Sequence, residues 1–473
     1  MRAATEDTLS SAQPTATYYP RRGASVAALR AAIGRARHRL MIQPLIMGVA
    51  YLVATFLLFL FGPIDYPKTN IAVVSVYFAL CMAAIIFPYY FAARQRPRTS
   101  SLTNQRTIYV AGSIFGAILL IPSTYIYTGH FPWDIAGALG DQHAAYLALQ
   151  DQILATEGRR GPIVLARMVL QPLIFAVVPL GVLYWRKMSW PMRLWLFVAI
   201  GCDLIFSILR GTDREVADLI VISVAAFLIG AARRRLRQPR PPQKGYRARL
   251  RASGPALLVL LAVVLALALQ VFMERRQDRL VHLGEYCFGQ SNACANYKSP
   301  LVAALPDRDR FGVTMAAGYA SGGYYGLSLA LKKDFRSTYG LGHSPALMRV
   351  YEALTNDHSL ETKTFNSRNA AEGWPGEFFW STMMTSLAND VGFPVAVVLL
   401  GFFGWVWGRS FLDAVVGGND PAAIVFCICA LTVVYFPANL QMLLGLDGYS
   451  TCVVWLAVWM FTNRAPVPIG RTA

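Results

Sequence analysis

Charge is scarce in this chain. Only 15% of its 473 residues are Asp, Glu, Lys or Arg, against about 25% in an ordinary soluble protein. That shortage excludes a soluble globular chain of this length. The 55% of hydrophobic residues are gathered into runs nearly free of charge, each close to the roughly 20 residues that span hydrocarbon. Acid is scarcer still, with 26 Asp and Glu against 44 Lys and Arg. The surplus does not make nucleic acid an expected partner, because most of it sits in short loops between apolar runs, where positive charge sets orientation in a membrane. Motifs that would point to a cofactor are missing too. No Walker sequence suggests use of ATP and no HExxH suggests zinc, so neither a cofactor nor a metal is expected.

Seven cysteines are present. Cys81, Cys202, Cys427, Cys429 and Cys452 lie in or beside apolar runs and read as small core residues. Cys287 and Cys294 instead flank six residues of a polar stretch, "EYCFGQSNACANY". In an oxidising compartment they predict a disulfide. A metal site there would need two further ligands, and only His282 is near. The first twenty residues lack the apolar centre of a signal peptide. The next stretch, "RRGASVAALRAAIGRARHRL", is basic and amphipathic, and suits either a helix on the membrane surface or a solvated tail.

The runs predict an all-α, polytopic transmembrane bundle of about ten spans, at 41–62, 71–91, 108–127, 163–185, 192–209, 217–232, 254–273, 393–407, 422–437 and 449–462. Four units follow: a basic tail over 1–40, seven spans over 41–273 with a polar loop at 128–162, a large loop region of short helices at 274–392, and three spans with a short tail over 393–473. The loops "RQRPRTSSLTNQR", "RKMSWPMR" and "RRRLRQPRPPQKGYRARLR" are basic and free of acid, and they alternate so as to share one side with the N-terminal tail. Positive charge marks that side as cytoplasmic. Both termini are then inside, and 128–162, the turn 209–217 and 274–392 face out.

Three groups of residues carry chemistry. In "FSILRGTDREVADLIVI", Arg210, Asp213, Arg214, Glu215 and Asp218 crowd a turn between two spans. A solvated hairpin with internal ion pairs would explain it. Yet Arg210 directly follows an apolar run, and a cation held at the hydrocarbon boundary needs a partner or a cavity; a guanidinium suits phosphate oxygens there. In "GYASGGYYGLSLALKKDFRSTYGLGHSPALMRVYEAL", Tyr319, Tyr324, Tyr325 and Tyr339 offer ring faces for a sugar, and Lys332, Lys333, Arg336 and Arg349 offer cations for a diphosphate beside His343. The glycines there permit close approach of backbone either to a ligand or to a neighbouring helix. Arg167, at the start of the fourth span, either snorkels or faces inward as an anion site.

The stretches "RGTDREVADL", "GYASGGYYGLSLAL", "GLGHS", "WSTMMTSLANDVGFPVAVVLLGFFG" and "YFPANLQ" resemble the oligosaccharide repeat-unit polymerases of bacterial surface polysaccharide synthesis, the Wzy type. The resemblance covers about half the chain. It implies a metal-independent glycosyltransferase of the bacterial inner membrane that moves a growing glycan from undecaprenyl diphosphate onto the next lipid-linked unit, at the periplasmic face. A chain-length regulator is a candidate partner beside that lipid-linked oligosaccharide and the bilayer. By position, the resemblance assigns the grip on diphosphate to Arg210 and Arg336, with Arg214 and Arg167 behind them. The acceptor hydroxyl needs a base, for which Asp213, Glu215 and His343 are candidates. An O-antigen ligase shares this chemistry with a different acceptor. A flippase of lipid-linked saccharides is a further alternative; it would need charge deep within several spans, and Asp203 is the clear deep acid.

Overall fold

In hydrocarbon, a backbone must satisfy its own N–H and C=O groups, and an α-helix does so within one segment. The apolar runs fold accordingly. The computed structural model describes residues 26–100, 102, 104–140, 142–156, 159–237, 287–288, 291–376 and 379–462, which are mostly helical. The long elements are α1 Val26–Phe61, α2 Ile71–Ala93, α3 Gln105–Thr128, then the short α4 Ile135–Gly140 and α5 Gln142–Ala155, followed by α6 Gly161–Tyr184, α7 Trp190–Leu209 and α8 Arg214–Arg237. After the undescribed stretch come α9 Pro300–Ala303, α10 Asp307–Ala330, α11 Pro345–Thr355, α12 Ser359–Lys363, α13 Phe365–Arg368, α14 Met383–Val415, α15 Asp420–Tyr435 and α16 Leu446–Phe461. A two-residue pairing of β1, Ile64–Asp65, with β2, Cys294–Ala295, is antiparallel, with Ile64 opposite Ala295.

Seven of the described helices are long and apolar enough to cross a membrane: α1 from His38, α2, α3, α6, α7, α8 and α14. Helices α15 and α16 are apolar but have 16 residues each, about 24 Å at 1.5 Å per residue. The expected span 254–273 lies outside the described residues. Helix α1 also differs from the expected boundary, because it is already helical from Val26 and runs without a break into the first span.

Long helices pass closest where side chains are smallest. On α14, a Cβ at Gly404 would meet the backbone of Ile85, and one at Gly408 the backbone of Tyr89, so α14 and α2 pack backbone to backbone, as small residues allow between membrane helices. Near its start, α14 breaks stride at Gly392, whose φ of 73° and ψ of 165° are non-helical, two residues before Pro394. The bundle has two distinct ends. The upper end gathers 62–70, 129–140, 142–156, 159–160, 210–213, 291–376 and 379–382. The lower end gathers 94–100, 185–189 and the end of α8 with Arg233.

The glycine–tyrosine stretch forms the second half of α10, and Tyr324 and Tyr325 on it face the core. Tyr324 and Tyr325 are almost fully buried. The Tyr324 hydroxyl lies 3.1 Å from that of Thr55 on α1, and its ring meets Phe56 edge-on at 5.3 Å. Tyr325 stacks on Tyr66 and meets Trp374 edge-on at 5.0 Å. The expectation that these two rings bind sugar is therefore corrected: a large aromatic side chain is worth more to the fold inside a core, and α1 supplies one. The glycines serve the same packing. A Cβ at Gly323 would strike the Pro437 carbonyl. Gly323→Val is expected to destabilise the protein by about 1–3 kcal/mol, the usual penalty of overpacking, read as a lower unfolding midpoint in detergent; an unchanged midpoint would show that α10 can move away from the 437 loop.

Candidate functional site

A cavity of about 160 Å³ opens between α3, α6, α7, α8 and α16, at the upper end of the bundle. Its lining is divided. Gly116, Leu119, Ile174, Val178 and Ala199 make an apolar part, while Arg167, Arg210, Arg214, Asp203, Glu215, Asp218 and Asp447 make a charged one. Most of the charged side chains are placed by helix termini. Arg210 is the C-cap of α7, and Gly211 follows it with a φ of 59°, the left-handed conformation that lets the chain reverse within four residues. Arg214, Glu215 and Asp218 then lie on the first turns of α8, Arg167 on the second turn of α6, and Asp447 on the first turn of α16. A carboxylate in a first helical turn is favoured by the unpaired N–H groups there.

The guanidinium groups are paired across these elements. Arg210 binds Glu215, whose other oxygen accepts from the Thr212 hydroxyl at 3.0 Å. Arg214 pairs with Asp218 at 3.6 Å. Arg167 reaches Asp447 at 3.3 Å, 280 residues away in sequence. Arg167 and Arg210 both stand over the ring of Phe206, each with its guanidinium carbon 5.0 Å from the centroid, where a ring face attracts cations. The Nε of Arg210 is buried and has no hydrogen-bond partner. A buried donor left without an acceptor is costly, and an anion entering the cavity would supply one.

A second polar unit stands outside the lining of this cavity. His343 Nδ1 lies 2.6 Å from Asp390 Oδ2. The same carboxylate accepts from the backbone N–H groups of Gly342 at 2.6 Å and His343 at 3.0 Å, and from the Thr338 hydroxyl. Asp390 thus fixes the loop and the imidazole together, leaving Nε2 as the ring nitrogen for other work. Asp390 sits on the last turn of α14 before the Gly392 break. The ring of Tyr449 lies 6.0 Å from that of His343, and its chain neighbours Asp447 and Gly448 line the cavity.

The structure brings together Arg167, Arg210, Arg214 and Glu215, and it leaves other sequence candidates outside. Arg336 does not line the cavity. Its side chain is 56% exposed and pairs with Asp334 two residues away; the Arg336 hydrogen bond, helped by the charges of Arg336 and Arg368, holds the exposed Asp334 carboxyl below its ordinary range. Asp213 stands just ahead of α8 and is likewise absent from the lining. Sequence reading misses Asp390 and Asp447. Each is a lone acid in a long stretch without cations, between 378 and 408 or 421 and 463, and that isolation is the signal that marks them. Cys287 and Cys294, the latter in β2, are joined in a disulfide.

The lower end has its own buried charges. Asp413 pairs with Arg409 at 3.2 Å and accepts from the Arg98 backbone and the Trp459 indole. Asp420 accepts from Tyr184 at 2.7 Å and pairs with Arg233 at 3.6 Å. These pairs join helix ends and take no part in the lining of the upper cavity. Among the described residues no group of three or more His, Cys, Asp and Glu is placed to hold a metal ion. Comparison with protein-family models, with curated proteins and with solved structures returns no match.

Proposed function

We propose that this chain is a membrane-embedded glycosyltransferase that polymerises undecaprenyl-diphosphate-linked oligosaccharide repeat units at the periplasmic face of a bacterial inner membrane. One observation carries the reading: Arg167, Arg210 and Arg214 converge on a single cavity whose other half is apolar. An amphiphile with an anionic head and a hydrocarbon tail matches both halves. The orientation is supported by the cations of the opposite end, Arg94, Arg96, Arg98, Arg186, Lys187 and the arginines that close α8, which mark a cytoplasmic side. The upper end instead carries a stack of Tyr125, Phe131 and Trp133 with centroids 5.0 and 4.7 Å apart, aromatic residues of the kind that settle at a membrane interface.

In the reaction, the bond between the anomeric carbon and the phosphate oxygen breaks, and a bond from the acceptor hydroxyl oxygen to that carbon forms. The arginines take up the negative charge that develops on the departing diphosphate. The hydroxyl proton goes to a base. Glu215 has both oxygens engaged; Asp213 and His343 both stand outside the lining, and of the two His343 has its ring held by a carboxylate, Asp390, so we assign the role to His343 Nε2. Lipid diphosphate is the leaving group. The ligase reading uses the same residues with another acceptor; deleting the gene separates them, since loss of a polymerase leaves single capped repeat units and loss of a ligase leaves unattached polymer.

The orientation has its own test. In spheroplasts, a membrane-impermeant maleimide is expected to label Cys287 and Cys294 after mild reduction and not before, read as two added masses on the peptide. Labelling that appears only after the membrane is permeabilised would place this end in the cytoplasm and remove the reading.

A further inference from the structure

The charged part of the cavity holds one more carboxylate than guanidinium groups. Glu215, Asp218 and Asp447 each have an arginine. Asp203 has none: it makes no ion pair within 4 Å and no side-chain hydrogen bond among the described residues, yet it lines the cavity. It lies seven residues before Arg210 on α7, about 10 Å deeper along the helix axis. Glu215 and Asp218 from α8 and Arg167 from α6 act on it directly, and Arg214 from α8, Arg210 from the end of its own helix and Asp447 from α16 line the same cavity. The thiol of Cys202 is its neighbour on the wall.

An anion entering such a cavity meets a lining whose own charges do not balance in its favour. The repulsion is relieved when one carboxylate takes a proton as the anion arrives. Glu215, Asp218 and Asp447 each have an arginine within 4 Å to offset their charge, whereas Asp203 has none that close. We propose that binding of a diphosphate head group in this cavity is coupled to uptake of one proton by Asp203, and that the proton leaves again when the diphosphate departs. The inference rests on the anion-binding reading above and adds a release device to it. By linkage, one proton taken up makes the affinity fall about tenfold for each pH unit gained, across the range in which Asp203 is ionised empty and neutral occupied.

The test uses the purified full chain in detergent with farnesyl diphosphate as probe, titrated calorimetrically in buffers of different ionisation enthalpy at one pH. Because the probe itself titrates, the comparison between variants is what counts. Wild type is expected to take up about one proton more than Asp203→Asn, and Asp334→Asn, at an exposed carboxylate outside the cavity, is expected to match wild type. The slope of log affinity against pH should differ by about one between wild type and Asp203→Asn. Equal proton counts for wild type and Asp203→Asn, or the same deficit in Asp334→Asn, overturn the coupling and leave the anion site standing. Should Asp203→Asn not fold, the wild type decides alone: affinity that rises on acidification, although the probe loses charge, supports the coupling, and affinity that is flat or falls overturns it. Failure of wild type to bind the probe at all removes the anion site and the coupling together.

Discussion

Arg210→Ala is expected to abolish long-chain glycan and leave single repeat units, with the transfer rate down about 10²–10³-fold, the usual loss on removing one donor from a site where charge develops. Three features support that proposed role for Arg210. It closes α7 where the chain reverses, it lines the cavity, and its buried Nε lacks an acceptor. Arg210→Lys keeps the charge and loses the planar fork, so it should recover only part of the activity. The variant must still insert, and Glu215 would then be left without its cation; Arg210→Ala/Glu215→Gln removes that liability. Polymer of normal length from the double variant would take Arg210 out of the site.

His343→Ala is expected to lower transfer by about 10²–10⁴-fold, the range of a lost general base, with the protein present at its usual level. The reason for expecting a sound fold is local. Without the imidazole, Asp390 still accepts from the backbone N–H groups of residues 342 and 343 and from Thr338, so the loop keeps its anchor. Asp390→Asn is different, since it disturbs every one of those bonds, and a loss there would mix folding with chemistry. Activity of His343→Ala within a few-fold of wild type would return the proton to another acceptor.

Hydropathy alone makes the apolar helices legible, because the spacing between charges is a local property of the chain. The hairpin is legible for the same reason: Arg210 and Glu215 are five residues apart. Pairings made by tertiary packing leave no such local mark. The salt bridge of Arg167 joins helices 280 residues apart, and the hydroxyl contact that buries Tyr324 spans 269. Read locally, Tyr324 and Tyr325 look like ring faces for a sugar; only the position of α1 turns them into core. Arg336 misleads in the opposite way. It lies in a basic stretch near His343, but it pairs with Asp334 two residues away and stands exposed, outside the cavity lining.

The central claim is that the arginine-lined cavity receives a polyprenyl diphosphate. Photo-crosslinking with an undecaprenyl diphosphate that carries its reactive group near the head tests it most directly. The expected result is adducts on the peptides around residues 116–123, 167–178 and 199–215, lost in Arg210→Ala and competed away by unlabelled lipid. Adducts confined to the lower end, or adducts on these peptides that persist unchanged in Arg210→Ala, would contradict it.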